Sequence, residues 1–314
     1  MSSPRISVIV TFYNQEEFVD EAIQSVIDQD WEDIEILACD DASCDRTLEA
    51  LRRWSELDAR VSVLAGEHNV GLSENRNRGL RARTGEFVAL LDGDDRMRDG
   101  KLRAQVELLE ANPEAVGCVH DAEIFRSEDG AKLGLFSAYA GPRGMREGGV
   151  ELWLDPTYFV LPSTLMCRSR FIPGHLFDRR LPYTGDWLFS IELFRQGRCL
   201  VLDGVYVDYR RHTAQVTRGE ESDRRAFEEG MMAMALVDSR YPELFTSART
   251  VRAALLYGEA RRHLRSGDRG RALRYARAAA FSGGPSGHVR LIELLVGARW
   301  GRPARAARAE ATRL

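Results

Sequence analysis

The sequence predicts an α/β fold with a mostly parallel central sheet, followed by a smaller, basic, helical region. Three observations carry this. Over roughly the first hundred residues, short β-branched apolar runs alternate with amphipathic stretches of about ten residues, which is the pattern of βαβ units covered on both faces. The 314 residues are 44% hydrophobic and 29% charged, enough for a principal domain plus a lesser one and unlike a disordered or fibrous chain. The charge is also unevenly placed: residues 249–314 hold 15 Arg against 4 acidic residues, while residues 1–248 carry an excess of 15 negative charges. We expect domains over 1–225, with halves of about 1–112 and 113–225, and a basic helical region over 226–314.

In chain order, residues 6–11 form the first buried strand, and Phe18, Ala22, Ile23, Val26 and Ile27 fall at helical spacing. Residues 34–38 are the next strand, 47–54 the next helix, 61–64 a third strand and 87–91 a fourth. Residues 113–225 have another texture, with strand-like pieces at 115–120 and 201–209, a Gly/Pro-rich stretch at 141–149 and a helix around 187–196. Beyond about 226 the pattern is helical. Residues 255–264, the turn Gly267-Asp268-Arg269-Gly270 and residues 271–280 resemble a single helix–turn–helix of the tetratricopeptide kind, without a second copy at a fixed period.

Five cysteines, Cys39, Cys44, Cys118, Cys167 and Cys199, are odd in number and form no C-x-x-C pair, so we expect reduced, mostly buried thiols. No apolar run reaches the ~18–20 residues that cross a bilayer, and Met-Ser-Ser-Pro-Arg leads straight into the first strand. The expected location is cytoplasmic.

In a parallel sheet, ligands bind outside the carboxyl ends of the strands. The loops there are 11–15, 40–45 and 92–95. No phosphate-cradling G-x-G-x-x-G or Walker loop follows the first strand. Instead Asp92-Gly93-Asp94-Asp95 crowds three carboxylates at a strand end, which asks for a neutralising cation or hydrogen-bond donors. Hard oxygen ligands suit Mg2+ or Mn2+, which also bridge diphosphate oxygens. Taken alone, the same residues read as a solvated Asp-Gly turn.

Four segments decide between these readings. Ser7 to Asn14, Ala38 to Asp45, Asn69 to Gly79 and Gly85 to Asp95, in this order and at these separations, closely resemble the family 2 glycosyltransferases of the GT-A fold, a Rossmann-like architecture. The resemblance covers about residues 5–215. It implies that Thr11, Tyr13 and Asn14 line a nucleotide-sugar site, Tyr13 offering a face for the base, and that Asp41 accepts the imide N–H of uracil. Ala42 stands where the family has Gly and Cys44 where it has Thr, so the loop is expected to lose a residue free to take positive φ. Arg76 is implied to contact base or diphosphate. Asp92, Gly93 and Asp95 are implied to face the donor, with Asp94 and Asp92 as metal ligands.

Further on, Tyr183-Thr184-Gly185-Asp186-Trp187 resembles the segment whose Asp is the general base, although Asp at a helix start also reads as an N-cap. Tyr209-Arg210-Arg211-His212 resembles the late segment whose His approaches the metal or the diphosphate, while a lone His is more often a packed or surface residue. Leu161 to Met166 resembles a strand on the acceptor side, with no role for one residue. The resemblance implies an inverting transfer from a UDP-sugar to a hydroxyl of a glycan, a lipid-linked or another acceptor, with Mn2+ or Mg2+. The alternatives are a dTDP- or GDP-sugar donor, or a GT-A module that binds nucleotide sugar without turnover. The Arg-rich C-terminal helices suit an anionic membrane surface, an acidic partner or a solvated cap. They carry no nucleic-acid module.

Overall fold

The structure is a computed structural model that describes residues 5–138, 147–154, 161–213, 215 and 220–282. Most of the Gly/Pro-rich stretch and the basic residues 283–314 lie outside them. The chain forms two compact units, Met1–Arg218 and Gly219–Leu314.

In the first unit, strand β1 (Ile6–Phe12) is buried at every position, as a strand covered on both faces must be. Helix α1 (Val19–Ile27) buries Val19, Ala22, Ile23 and Val26, one apolar stripe laid on the sheet. Strand β2 (Ile34–Asp40), helix α2 (Thr47–Leu57) and strand β3 (Val61–Ala65) repeat the unit. Helix α3 (Leu72–Ala82) departs from it, because its buried side is mostly polar: Ser73, Asn75, Arg76 and Asn77 beside Gly79 and Leu80. Strand β4 (Phe87–Asp92) pairs parallel with β1, so β3, β2, β1 and β4 lie side by side in parallel register. That register brings Thr11 level with Cys39 on one side and Asp92 on the other.

After the two-residue strand β5 (Arg96–Met97) come helix α4 (Lys101–Glu110), strands β6 (Gly117–Arg126), β7 (Lys132–Leu135) and β8 (Glu147–Gly148), and the short helix α5 (Val150–Trp153). Strand β9 (Met166–Arg168), helix α6 (Gly185–Phe194) and the long strand β10 (Cys199–Arg211) complete the unit. The sheet order is β3-β2-β1-β4-β9-β6-β10-β5. β6 and β10 are parallel, whereas β9 runs antiparallel between β4 and β6. A single reversed strand, β9, thus stands where the two halves of the unit meet, and β5 is antiparallel at the far edge.

Two devices fix that seam. Gly117 faces β9 so closely that a Cβ would stand 2.6 Å from the Met166 carbonyl oxygen. The buried Arg168 donates to the carbonyls of Leu109, at 2.6 Å, and Ala115, at 3.2 Å, so a cation answers acceptors left at the end of α4. Of the five thiols, Cys39, Cys118, Cys167 and Cys199 are buried and only Cys44 is exposed, and none is in a disulfide. Burial pushes Cys39, Cys118 and Cys167 up to about 12, which keeps them protonated and unreactive.

In the second unit, helix α7 (Glu220–Arg240) buries Ala233, Met234 and Val237, and helix α8 (Phe245–Arg265) buries Ala248, Val251, Ala253, Leu256 and Ala260. An Arg252–Asp238 ion pair ties them. Gly267, at φ 84, ends α8, and the Asp268 N–H bonds back to the His263 carbonyl at 2.9 Å, a left-handed glycine stop. Helix then resumes over residues 269–282. The expected helix, Gly turn and helix are present, but α8 begins ten residues before the expected 255.

Gly117→Ala forces a Cβ against β9 backbone that has little room to move. The variant should lose ~2 kcal/mol or more of unfolding free energy in urea. Parental stability would mean that the seam can yield.

Candidate active site

The loops after β1, β2 and β4 are laced together by backbone bonds. The Gly93 N–H donates to the Thr11 carbonyl at 2.9 Å and the Asp41 N–H to the Phe12 carbonyl at 3.0 Å. Asn14, at φ 51, bridges the first two loops: its N–H donates to Ser43 Oγ at 2.9 Å and its Oδ1 accepts from the Cys44 N–H at 2.8 Å. Tyr13 is 47% exposed at the rim. The buried Asp41 carboxylate accepts the N–H groups of Val70, at 2.9 Å, and Gly71, at 2.8 Å, and so pins the lead into α3. Each of its oxygens retains capacity for another donor.

Two buried polar atoms here have no partner among the described residues, Thr11 Oγ1 and Asp40 Oδ1. Orphans of this kind are costly and rare, and both belong to the strand ends where the fold class binds ligands. Ala42 corrects the expectation that losing the family's Gly removes the positive-φ residue. It takes φ 59, because Asp40 Oδ2 holds the Ser43 N–H at 3.2 Å and Ser43 is tied to Asn14.

The acidic loop is held from both sides. Arg76, buried on α3, meets Asp92 at 2.5 Å and lies 5.4 Å over the Phe177 ring. Burial works against its charge, but Asp92, Asp186 and Asp94 together outweigh it and hold the guanidinium protonated. Gly93 has no room for a side chain, since a Cβ would lie 2.3 Å from the Phe12 ring. Asp95 is turned inward: Ser163 Oγ donates to it at 2.7 Å and the Arg210 N–H at 3.0 Å. Burial first, then the charges of Asp94 and Asp92, raises its carboxyl well above the usual range. Asp94 Oδ2 lies 3.0 Å from His212 Nε2.

Two residues essential to this geometry received no role from the sequence. Ser163 also accepts the Asp92 N–H at 3.1 Å, joining Asp92 to Asp95. Arg210 donates from Nε to the Asp94 carbonyl at 2.7 Å, bonds Glu21, and packs 4.7 Å from both the Phe18 and Phe125 rings. The signal for Arg210 was its place two residues before His212, but an Arg in a basic run does not announce that it is buried.

Asp186 occupies the second position of α6 rather than the capping position, which falls to Thr184. Its Oδ1 accepts the Trp187 N–H at 2.8 Å. It adjoins a small cavity lined by Leu90, Pro162, Leu165, Phe177 and Phe189. Burial in that setting pushes its carboxyl up to about 6, opposed chiefly by Arg76. The described residues contain no group of three or more His, Cys, Asp or Glu arranged to hold a metal ion. Asp94 and His212 meet as a pair, and Asp92 is engaged by Arg76.

A GT-A sheet with acidic strand-end loops and a carboxylate at a helix start defines a sugar-transfer enzyme. Residues 7–169 match the family model described as Glycosyl transferase family 2, and the chain belongs to that family and is a glycosyltransferase. A glycosyltransferase of Haemophilus influenzae is 29% identical over 228 residues, covering 68% of each chain. EpsJ of Bacillus subtilis, also a glycosyltransferase, is 37% identical over 116 residues, and the match spans only 33% of its length. Among solved structures, S. aureus TarS 1-349 in complex with UDP-GlcNAc aligns with a TM-score of 0.67 at 18% identity, covering 94% of this chain and 87% of that one. The mannosyltransferase PcManGT of Pyrobaculum calidifontis, in complex with GDP-Man and Mn2+, aligns at 0.60 and 19% identity, covering 98% and 82%. These likenesses establish the fold.

Ala42→Gly should relieve the left-handed strain, which costs ~1–2 kcal/mol in a non-glycine residue, at the expense of a freer unfolded chain. Equilibrium unfolding should show a net gain of about 0.5–1 kcal/mol. A loss would place the strain elsewhere.

Proposed function

We propose that the chain is an inverting glycosyltransferase that moves a sugar from a UDP-sugar to a hydroxyl of a glycan, lipid-linked or other acceptor. The observation that carries this is the buried guanidinium of Arg76, which is paired with Asp92 of the acidic loop and is also stabilised by the charge of Asp186. That shared cation supports a leaving-group site and a candidate base close to one another.

Asp186 is the general base. With its carboxyl at about 6 it is ionised at neutral pH yet basic enough to accept a proton, which is the tuning such a role needs. It removes the acceptor hydroxyl's proton as that oxygen bonds to the anomeric carbon and the bond to the diphosphate breaks on the opposite face. Tyr13 stacks on the base and Asp41 accepts its imide N–H. Thr11 Oγ1 and Asp40 Oδ1, buried without partners, are the groups a bound nucleotide would satisfy. A dTDP- or GDP-sugar presents a related donor edge to Asp41. The second reading, a module that binds nucleotide sugar without turnover, leaves the elevated carboxyl of Asp186 without a purpose.

The donor set at the acidic loop fits a divalent cation. Asp94 Oδ2 and His212 Nε2 are adjacent, and two protein ligands leave positions for diphosphate oxygens and water, as is usual for Mg2+ and Mn2+. Such an ion, when bound, offsets the charge that grows on the departing diphosphate. Asp92 stands beside it, shared with Arg76. The basic C-terminal helices suit peripheral contact with an anionic membrane surface, where a lipid-linked acceptor would be met.

Asp186→Asn should lower turnover by ~10²–10⁴ while donor affinity is kept. The parent's kcat/KM should fall as pH drops through about 6, because the base must be unprotonated. The same shift has the opposite sign for stability. The folded state holds this proton more tightly than the unfolded chain, so the contribution is most favourable below the ordinary value of 3.8 and is lost as pH rises through about 6. Above that range the Asn variant should therefore melt no lower than the parent, and an active Asp186→Asn enzyme would place the base elsewhere.

Asp94→Ala should abolish manganese-supported UDP binding in isothermal titration while leaving the fold intact. Unchanged manganese-dependent binding would remove Asp94 from the metal site.

A further inference from the structure

The second unit carries a surface that sugar transfer does not use. Residues 269–282 include Arg269, Arg271, Arg274 and Arg277 and no acidic residue. The helix buries Ala272, Ala276, Ala279 and Ala280, which share one face at 100° per residue. The arc that runs away from them exposes Leu273, Arg274, Arg277 and Phe281. Leu273, Arg277 and Phe281 stand one turn apart along it. The usual arrangement is inverted, with small side chains inward and large apolar ones outward. Phe281 is 82% exposed and Leu273 36%.

Phe281 is held in this position. Arg249 of α8 donates to the carbonyls of Phe281, at 3.3 Å, and Ser282, at 3.1 Å, and the same guanidinium lies 5.5 Å over Phe245, itself 47% exposed. Two outward phenylalanines thus share one basic anchor. Arg269 and Arg277 make no salt bridge among the described residues, and Arg271 pairs only with Asp268, at 3.3 Å. Residues 249–282 hold 9 Arg against 2 acidic residues.

We propose that this face docks on a membrane surface rich in anionic phospholipid, with Phe281, Phe245 and Leu273 entering the boundary between headgroups and acyl chains and the arginines on lipid phosphates. Arginines alone would suit any polyanion. The exposed apolar side chains among them favour a partner that adjoins its phosphates with an apolar phase, as a bilayer interface does along its whole surface. The described residues contain no helix long and apolar enough to cross a membrane, so the contact is interfacial. In naming the surface on which acceptor is met, the proposal rests on the reading above, but lipid binding is measured without turnover, so the two fail separately.

The test is flotation of the full chain with phosphatidylcholine vesicles with and without phosphatidylserine, beside Arg274→Gln/Arg277→Gln and Phe281→Ser variants. Both replace exposed side chains, and a thermal melt with UDP and manganese on the same samples reports fold and nucleotide binding. The parent should float with phosphatidylserine vesicles only and be released by salt. The double Arg variant should bind about tenfold or more weakly, since each interfacial Arg is worth roughly fivefold, and Phe281→Ser should also weaken binding at unchanged salt dependence. Failure of the parent to float, equal flotation on both vesicles, or variants that float like the parent would each overturn the proposal.

Discussion

The ion pair between the buried Arg76 and the half-buried Asp92 is the contact on which the rest of the site depends. Asp92, Asp94 and Asp95 follow one another at a strand end, and Asp186 approaches from α6. Unopposed, four carboxylates in a poorly solvated space would repel one another or take up protons. One guanidinium, held charged by Asp92, Asp186 and Asp94 together, opposes that repulsion and limits the rise at Asp186. Removing Asp92 would leave the Arg76 guanidinium buried and short of its partner, which is costly. Arg76 is in turn held by its helix. Ser73 donates to the Leu181 carbonyl, Asn75 to that of Cys39 and Asn77 to that of Phe177, so α3 reaches strand β2 on one side and the approach to α6 on the other.

Those same residues mark where sequence reasoning loses its grip. Strands β1, β2 and β4 were legible because β-branched apolar runs buried on both faces have few alternatives. The acidic and Asp-Asp loops were legible because carboxylates that crowded require an explanation. Helix α3 was not predicted, since an apolar stripe is what betrays a helix and its inward face is Ser, Asn, Arg and Asn, satisfied by carbonyls that only the fold brings near. Strand β9 is three residues long and is defined by neighbours distant in the chain. Ala42 misled for a related reason: its positive φ is imposed by hydrogen bonds from Asp40 and Asn14, and these outweigh the intrinsic preference of the residue.

The second unit was legible in composition and less so in geometry. Arginine content predicted a basic helical region, and the glycine turn predicted the break before 269. Which arginines stand beside outward phenylalanines is decided by the alanines that pack inside, and no count of charge contains that.

Strand β10 returns to the first half of the unit at its end. His212 meets Asp94 across 118 positions of chain, and Arg210 meets Glu21 across 189. A chain leaving the ribosome therefore exposes Asp94 and Asp95 long before Ser163, Arg210 and His212, which restrain them, exist. The parallel strands β1 to β4 can pair and Arg76 can meet Asp92 while synthesis continues, but the rest of the loop after β4 stays without its clamp until residue 210 has emerged. Contacts of such sequence separation are slow to form, and domains mature from the N-terminal side during synthesis. The enzyme's catalytic competence is thus withheld until nearly the whole of its first unit has been made.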